Sequence, residues 1–80
     1  MRKMAHAYLL LTIAIGNMNN VINDLNSRDY VERIDSVTGP CDIIIKIKAK
    51  DFHDLKEIIL NEVRCMDGIM DCSSSIVVDL

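Results

Sequence analysis

The run from Cys41 to Ala49, CDIIIKIKA, constrains the fold more than any other stretch of the chain. Ile43, Ile45 and Ile47 share one face, while Asp42, Ile44, Lys46 and Lys48 share the other. That period of two is a β-strand's, not a helix's. Just ahead of it, Tyr30 to Val37 (YVERIDSV) mixes β-branched and polar residues, as a half-exposed strand does. Gly39-Pro40 falls between them. Two strands joined by so short a turn predict an antiparallel hairpin.

The other elements follow from similar patterns. Ala7 to Ile15 (AYLLLTIAI) reads as a strand buried on both faces and stopped by Gly16. Asn17 is placed to cap a helix in which Met18, Val21, Ile22 and Leu25 recur at helical spacing. Asn19, Asn20, Asn23 and Asn26 fill its other face. Asparagine is a mediocre helix former, so packing must hold this helix. Asp51 is an N-cap candidate for a second helix, with Phe52, Leu55, Ile58, Ile59 and Val63 as its apolar stripe. His53, Asp54, Lys56, Glu57 and Glu62 lie outside that stripe, and Gly68 serves as the stop. The last stretch, Ile69 to Leu80, reads as a strand that is polar at Asp71 to Ser75 and apolar at Ile76 to Val78.

These readings predict strands over about 5–15, 30–38, 41–49 and 69–79, and helices over about 17–27 and 51–66. The order βαββαβ is the ferredoxin-like α+β pattern, a four-stranded antiparallel sheet with both helices on one face. Residues 1–80 form one domain on this reading. If Ile43, Ile45 and Ile47 face the helices and no bulge intervenes, Tyr8, Leu10, Ile44, Ile76 and Val78 point to the uncovered face. An apolar open face predicts dimerisation, sheet against sheet. Composition agrees: half of the 80 residues are hydrophobic, which is rich for so small a monomer and calls for a second buried surface.

A net charge of -3 leaves no basic excess for phosphate contacts, so direct nucleic-acid binding is not expected. Lys46, Lys48 and Lys50 form a local basic stripe, read as a solvated or salt-bridged sheet edge. Three cysteines, Cys41, Cys65 and Cys72, cannot all pair within one chain and show no CxxC spacing. Reduced thiols in a cytoplasmic protein are the simplest reading, with Cys41 and Cys65 as small packing residues. Met1-Arg2-Lys3 is basic, but no small-residue cleavage site follows the apolar run after it, so a signal peptide is weakly supported. That run is also well short of the roughly 20 apolar residues of a membrane span. His6 and His53 lie far apart, the methionines read as core filler, and neither a P-loop nor GxGxxG is present. No metal, cofactor or catalytic set is expected.

Two stretches carry chemistry. In Val37-Thr38-Gly39-Pro40-Cys41-Asp42, turn N–H groups are suited to hold a carboxylate and Asp42 to hold an ammonium. A free α-amino acid bears both groups on one carbon. On periodicity alone, an exposed turn aspartate explains Asp42 as simply. In Cys72-Ser73-Ser74-Ser75, small residues stand where a strand prefers branched ones. Alternation puts Cys72 and Ser74 on one face and Ser73 and Ser75 on the other. Their hydroxyls suit polar ligand atoms, or a solvent-facing edge.

These stretches, with Asp51-Phe52-His53-Asp54-Leu55 opening the second helix and Gly68-Ile69 leading into Cys72 to Val78, carry a family resemblance. From about Ala5 to Val78 the chain resembles the C-terminal effector (RAM) domain of the prokaryotic Lrp/AsnC regulators. The six residues ahead of Ala7 are too few for a helix-turn-helix, so the resemblance is to the stand-alone form. It implies a dimeric α/β barrel closed through the sheet faces, higher rings such as octamers, and an amino-acid effector held between subunits. By that resemblance the ligand site comprises Gly39, Pro40, Cys41 and Asp42 of the hairpin with Cys72 and Ser74 of the last strand. The Cys41 position is often aromatic in the family, and the Cys72 position is often threonine. The implied function is amino-acid-responsive modulation of transcription without direct DNA contact, alone or by co-assembly with full-length regulators. A ligand-free oligomerisation module, favoured by Cys41 and Cys72, is the alternative. A small enzyme on the same barrel would need a titratable cluster, for which only Asp42, Tyr8 and the cysteines offer themselves.

Overall fold

The computed structural model describes residues 4–78. The chain runs β1 (Ala5–Ile13), α1 (Met18–Asn26), β2 (Val31–Ser36), β3 (Ile43–Ala49), α2 (Phe52–Ile58), a π-helical turn (Ile59–Val63) and β4 (Ile69–Ile76). The expected βαββαβ order and antiparallel sheet are present, with strand order β2-β3-β1-β4. The central pair β1 and β3 is in register from Ala5↔Ala49 to Leu11↔Ile43. β2 and β3 form the predicted antiparallel pair, but their connection runs from Val37 to Asp42 and is longer than a two-residue turn.

Alternation along the central strands builds the core. Ala7, Leu9, Leu11, Ile43, Ile45 and Ile47 are fully buried, against Val21 and Leu25 of α1 and Leu55 and Val63 of the second helical segment. Burying a side chain of this kind is worth about 1.5–3 kcal/mol, so this layer dominates the folding energy. Asp51 caps α2 as expected, its carboxylate accepting from the Asp54 N–H at 2.8 Å. Gly68 holds φ at +91°, and a Cβ there would meet Asn17 Cβ at 2.9 Å. Only glycine fits that crossing between the helix layer and the start of β4.

Several expectations need correction. β1 is not buried on both faces: Tyr8 is 41% exposed and Leu10 half-buried in the single chain. It ends at Ile13, and Ile15 stands in solvent. Asn17 makes no side-chain cap; the side chain instead lies against Gly68, which accounts for its not folding back onto α1. The second helix is not α-helical throughout. It widens into a π turn, where the Arg64 N–H donates to Ile59 O, five residues back. Phe52, expected in the core stripe, is the first residue of α2 and 59% exposed, lining an open groove with Ser74 and Ile76 of β4. Lys46 and Lys48 of the lysine stripe lie on interior strand β3, not at a sheet edge, and Lys46 Nζ stands 5.8 Å from the centre of the Tyr8 ring. Cys65 is exposed, whereas Cys41 and Cys72 are buried; all three are free thiols.

The largest correction concerns β4. Thr12 pairs with Asp71 but Ile13 with Ile69, so Met70 is an extra residue, a bulge. One extra residue reverses the alternation. Cys72, Ser74 and Ile76 therefore stand opposite Leu11, Leu9 and Ala7, on the helix side of the sheet. Ile76 is not on the open face, where Tyr8, Leu10 and Ile44 remain. Val78 lies past the end of β4 and is exposed; the expected strand end at residue 79 lies outside the described residues.

Candidate functional site

The two stretches picked out in the sequence flank β1 at one end of the sheet. On the β3 side is the hairpin loop. Gly39 takes φ +137°, and nothing lies within 4 Å of where its Cβ would be. Gly39 and Pro40 are exposed, leaving their backbone open to solvent. Cys41 turns inward and is buried. Asp42 is neither a free turn residue nor buried. Its Oδ2 accepts from the Ile13 N–H at 2.8 Å, and its own N–H donates to Leu11 O at 2.9 Å. The carboxylate thereby satisfies a β1 amide just where the β1–β4 register shifts. Among the described residues, Oδ1 has no hydrogen-bond partner.

On the β4 side, Cys72 is buried opposite Leu11. Burial pushes its thiol pKa up; nearby Arg64 opposes the shift and Asp71 adds to it. A neutral thiol in this setting is a packing group rather than a nucleophile. Arg64 Nη2 donates to Cys72 O at 2.8 Å, and Asp71 Oδ1 accepts from the Cys72 N–H at 3.0 Å. Ser74, two residues on, opens into an apolar groove of about 250 Å³ between the second helical segment and β4. Phe52, Lys56, Ile59, Leu60 and Ile76 complete its lining.

The hairpin and β4 residues do not converge within one chain. β1 separates them: Asp42, just outside β3, is tied to Leu11 and Ile13 on one edge of β1, while Cys72 and Ser74 stand across its other edge and face the helix layer. Sequence reasoning missed the groove, because Phe52 fits the core spacing and exposure is invisible in a helical stripe. It also missed Arg28, which joins Asp24 at 3.0 Å and Glu62 at 3.1 Å and so ties the end of α1 to the π turn. Beside this pair the Tyr30 hydroxyl is sealed from solvent, near Arg28 and Glu62 but within good hydrogen-bond geometry of no group among the described residues. Its burial raises its pKa, Glu62 pushes the same way and Arg28 opposes them. Among the described residues, no group of three or more His, Cys, Asp or Glu side chains is placed to hold a metal ion. No helix there is long and apolar enough to cross a membrane.

Comparison with known proteins places this geometry. No curated protein matches the chain. Among solved structures, FFRP-DM1 superposes with a TM-score of 0.90 at 27% identity, covering 92% of this chain and 99% of that one. The hypothetical protein PHS023 from Pyrococcus horikoshii gives 0.87 at 26% identity, covering 95% and 92%. The transcriptional regulator NMB0573 from Neisseria meningitidis, solved as its L-Met complex, shares the fold at 0.87 and 17% identity. This chain covers 50% of that regulator's length. The family model for the Lrp/AsnC ligand binding domain matches residues 6–79, from the first strand through the bulged last one. With the sheet order, the hairpin and the bulged strand all inside that match, the chain belongs to the Lrp/AsnC ligand-binding domain family.

Proposed function

We propose that the protein is an effector-binding module that holds a free amino acid between subunits and modulates transcription indirectly. The coupling runs through oligomerisation or co-assembly with full-length Lrp/AsnC-type regulators in the cytoplasm, without enzymatic turnover. One observation carries the reading: Asp42 is oriented through Oδ2 by the Ile13 amide, while Oδ1 has no partner among the described residues. A carboxylate fixed on one oxygen is organised to accept an α-ammonium on the other. The open backbone at Gly39 and Pro40 offers N–H and C=O groups close by in sequence, Gly39 supplying the donor. The family match supports a small-molecule role, and a structural relative solved with L-methionine supports the ligand class.

Because β1 stands between Asp42 and the Cys72–Ser74 pair within one chain, the proposed pocket takes residues from different copies. Ligand binding and assembly are then one equilibrium: the ligand favours whichever assembly completes its pocket. Tyr8, Leu10 and Ile44 supply the apolar patch through which two sheets pair face to face, on the way to an octamer or similar ring. The Asp42–Ile13 bond also favours a second reading, an oligomerisation module whose aspartate serves structure alone.

Thermal unfolding against the twenty amino acids tests this, repeated on Asp42→Asn. Asparagine keeps an acceptor for the Ile13 amide and loses the charge. A true effector at 100 times its Kd raises stability by about 2.7 kcal/mol per site. The expected outcome is a rise with one or a few amino acids that disappears in Asp42→Asn, with the unliganded melting temperature nearly unchanged. No rise with any amino acid would overturn the amino-acid reading and point to an assembly module or to a ligand outside the twenty.

A further inference from the structure

The β4 bulge decides what the groove beside Ser74 is made of. Continued from Ile13↔Ile69 without an extra residue, the pairing would turn Asp71, Ser73 and Ser75 toward the helices. With Met70 as the bulge, Cys72, Ser74 and Ile76 stand there instead. A carboxylate and two hydroxyls give way to a buried thiol, one hydroxyl and an isoleucine. Bulges re-aim side chains in this way beside functional sites.

The helical wall matches this change. Phe52, Leu60 and Ile76 are large apolar residues left exposed, and all three meet at this groove, with buried Ile59 behind them. A lone exposed apolar side chain is ordinary on a protein surface. Three around one concavity of about 250 Å³ make an apolar receptor with room for the side chain of leucine, methionine or phenylalanine. Lys56 is exposed, so its stem can cover the wall while its ammonium stays in water, where it disfavours a cationic guest. Ser74 is the one small residue in the lining, and a larger side chain there would fill the groove.

Resting on the effector reading above, we propose that this groove receives the effector's side chain and selects a large apolar amino acid: leucine, isoleucine, methionine or phenylalanine. The constant part of the ligand, its ammonium and carboxylate, is held at Asp42 and Gly39 of one copy. The variable part is read by Phe52, Leu60, Ser74 and Ile76 of another, because β1 stands between the two places within one chain. A polar or charged side chain would give up its hydration for apolar walls bearing a single hydroxyl. A small side chain would leave those walls wet. In a hydrophobic pocket one matched methylene discriminates by about 10–200-fold. The head and the class of the ligand are thus read by different subunits.

Calorimetric titration of the full chain decides it, with leucine, isoleucine, methionine and phenylalanine set against alanine, serine, glutamate and lysine. At least one of the first four is expected to bind about tenfold or more tighter than any of the others. Ser74→Leu, at an exposed position, fills the groove and should bring that ratio close to unity. Phe52→Ala, also exposed, removes one wall and should lower it. Asp42→Asn should weaken all ligands together. Chains carrying Asp42→Asn and chains carrying Ser74→Leu, co-expressed, should recover about a quarter of the wild-type sites, the share of random pairings that join an intact head position to an intact groove. Binding of alanine, serine, glutamate or lysine as tightly as the apolar four overturns the proposal and leaves the effector reading standing. An unchanged ratio in the folded groove variants, or no recovery in the mixed assembly, does the same. If none of the apolar four binds, the proposal falls, and the effector reading falls with it only when all twenty amino acids fail. Should Ser74→Leu not fold, Phe52→Ala replaces it in both measurements.

Discussion

The two faces of the central strands are built from the same nine-residue and seven-residue segments, yet they do different work. On the helix face, Leu9 and Ile45 are completely excluded from solvent. On the open face, their sequence neighbours Tyr8, Leu10 and Ile44 stay partly wet, with Lys46 leaning over the Tyr8 ring. The first face has no polar atom to satisfy and supplies folding energy. The second is apolar at its centre and polar at its rim, with Thr12, Ser73 and Lys46 around it, as an association surface is. Alternation thus lets one strand pair carry the fold with odd-numbered residues and leave even-numbered ones for the proposed assembly.

The sharpest way to break that comparison is to truncate one side and then its neighbour. Leu9→Ala should cost about 2–5 kcal/mol by leaving a cavity in a layer that cannot collapse. Leu10→Lys should change monomer stability by only about 0.5 kcal/mol, since the site is half-exposed, yet abolish face-to-face dimers. Chemical denaturation and sedimentation measure the two effects separately. Equal destabilisation by both would mean the sheet is sealed on both faces only within an obligate dimer.

Two glycines draw the same contrast in the backbone. Gly68 and Gly39 both hold positive φ, but a Cβ at Gly68 would strike Asn17 and Val21, whereas at Gly39 it would meet open space. Gly39→Ala should cost about 1 kcal/mol, for backbone strain alone. Gly68→Ala adds a clash that forces α1 away from β4 and should cost about 2–3 kcal/mol. Denaturant midpoints of the two variants test the difference. If Gly39→Ala proves the more costly, the hairpin is packed against something in the assembled protein.

The fold was legible because its signals were redundant. Alternation in Ile43 to Ala49, the Asp51 cap and the Gly68 stop each report a backbone requirement that the residue itself must meet. The face of β4 was not legible, because Met70 as a bulge leaves no local mark: one skipped residue moves Ile76 from the open face to the helix side. The π turn was equally hidden, since Leu55, Ile58, Ile59, Val63 and Met66 suit either winding. Of the candidate site, the hairpin stood out through Gly39, Pro40 and Asp42. What Asp42 touches did not, because its partner, the Ile13 amide, is 29 residues away and is backbone. The groove beside Ser74 required knowing that the helices leave β4 partly uncovered, a matter of layer width rather than of any residue type.

The smallest effect lies where the sealed face meets its polar rim. Tyr30 packs its ring on the core, but its hydroxyl, near Arg28 and Glu62, is buried with no well-formed hydrogen bond among the described residues. A buried hydroxyl with no hydrogen bond costs stability, so Tyr30→Phe should be neutral or stabilising by up to about 1 kcal/mol at pH 7. The sign with pH follows from the raised pKa, whose first cause is burial. The unfolded chain loses this proton first, near the ordinary tyrosine value of 10.0, so the wild type loses stability as pH climbs beyond it toward the higher folded value. Phenylalanine has no proton to lose. The gap between the two proteins should therefore widen above about pH 10 and stay flat from pH 6 to 9. Urea midpoints across that range would show it. Were the gap to shrink at high pH instead, the hydroxylate would be stabilised in the fold, and Arg28 rather than burial would govern this corner of the sealed face.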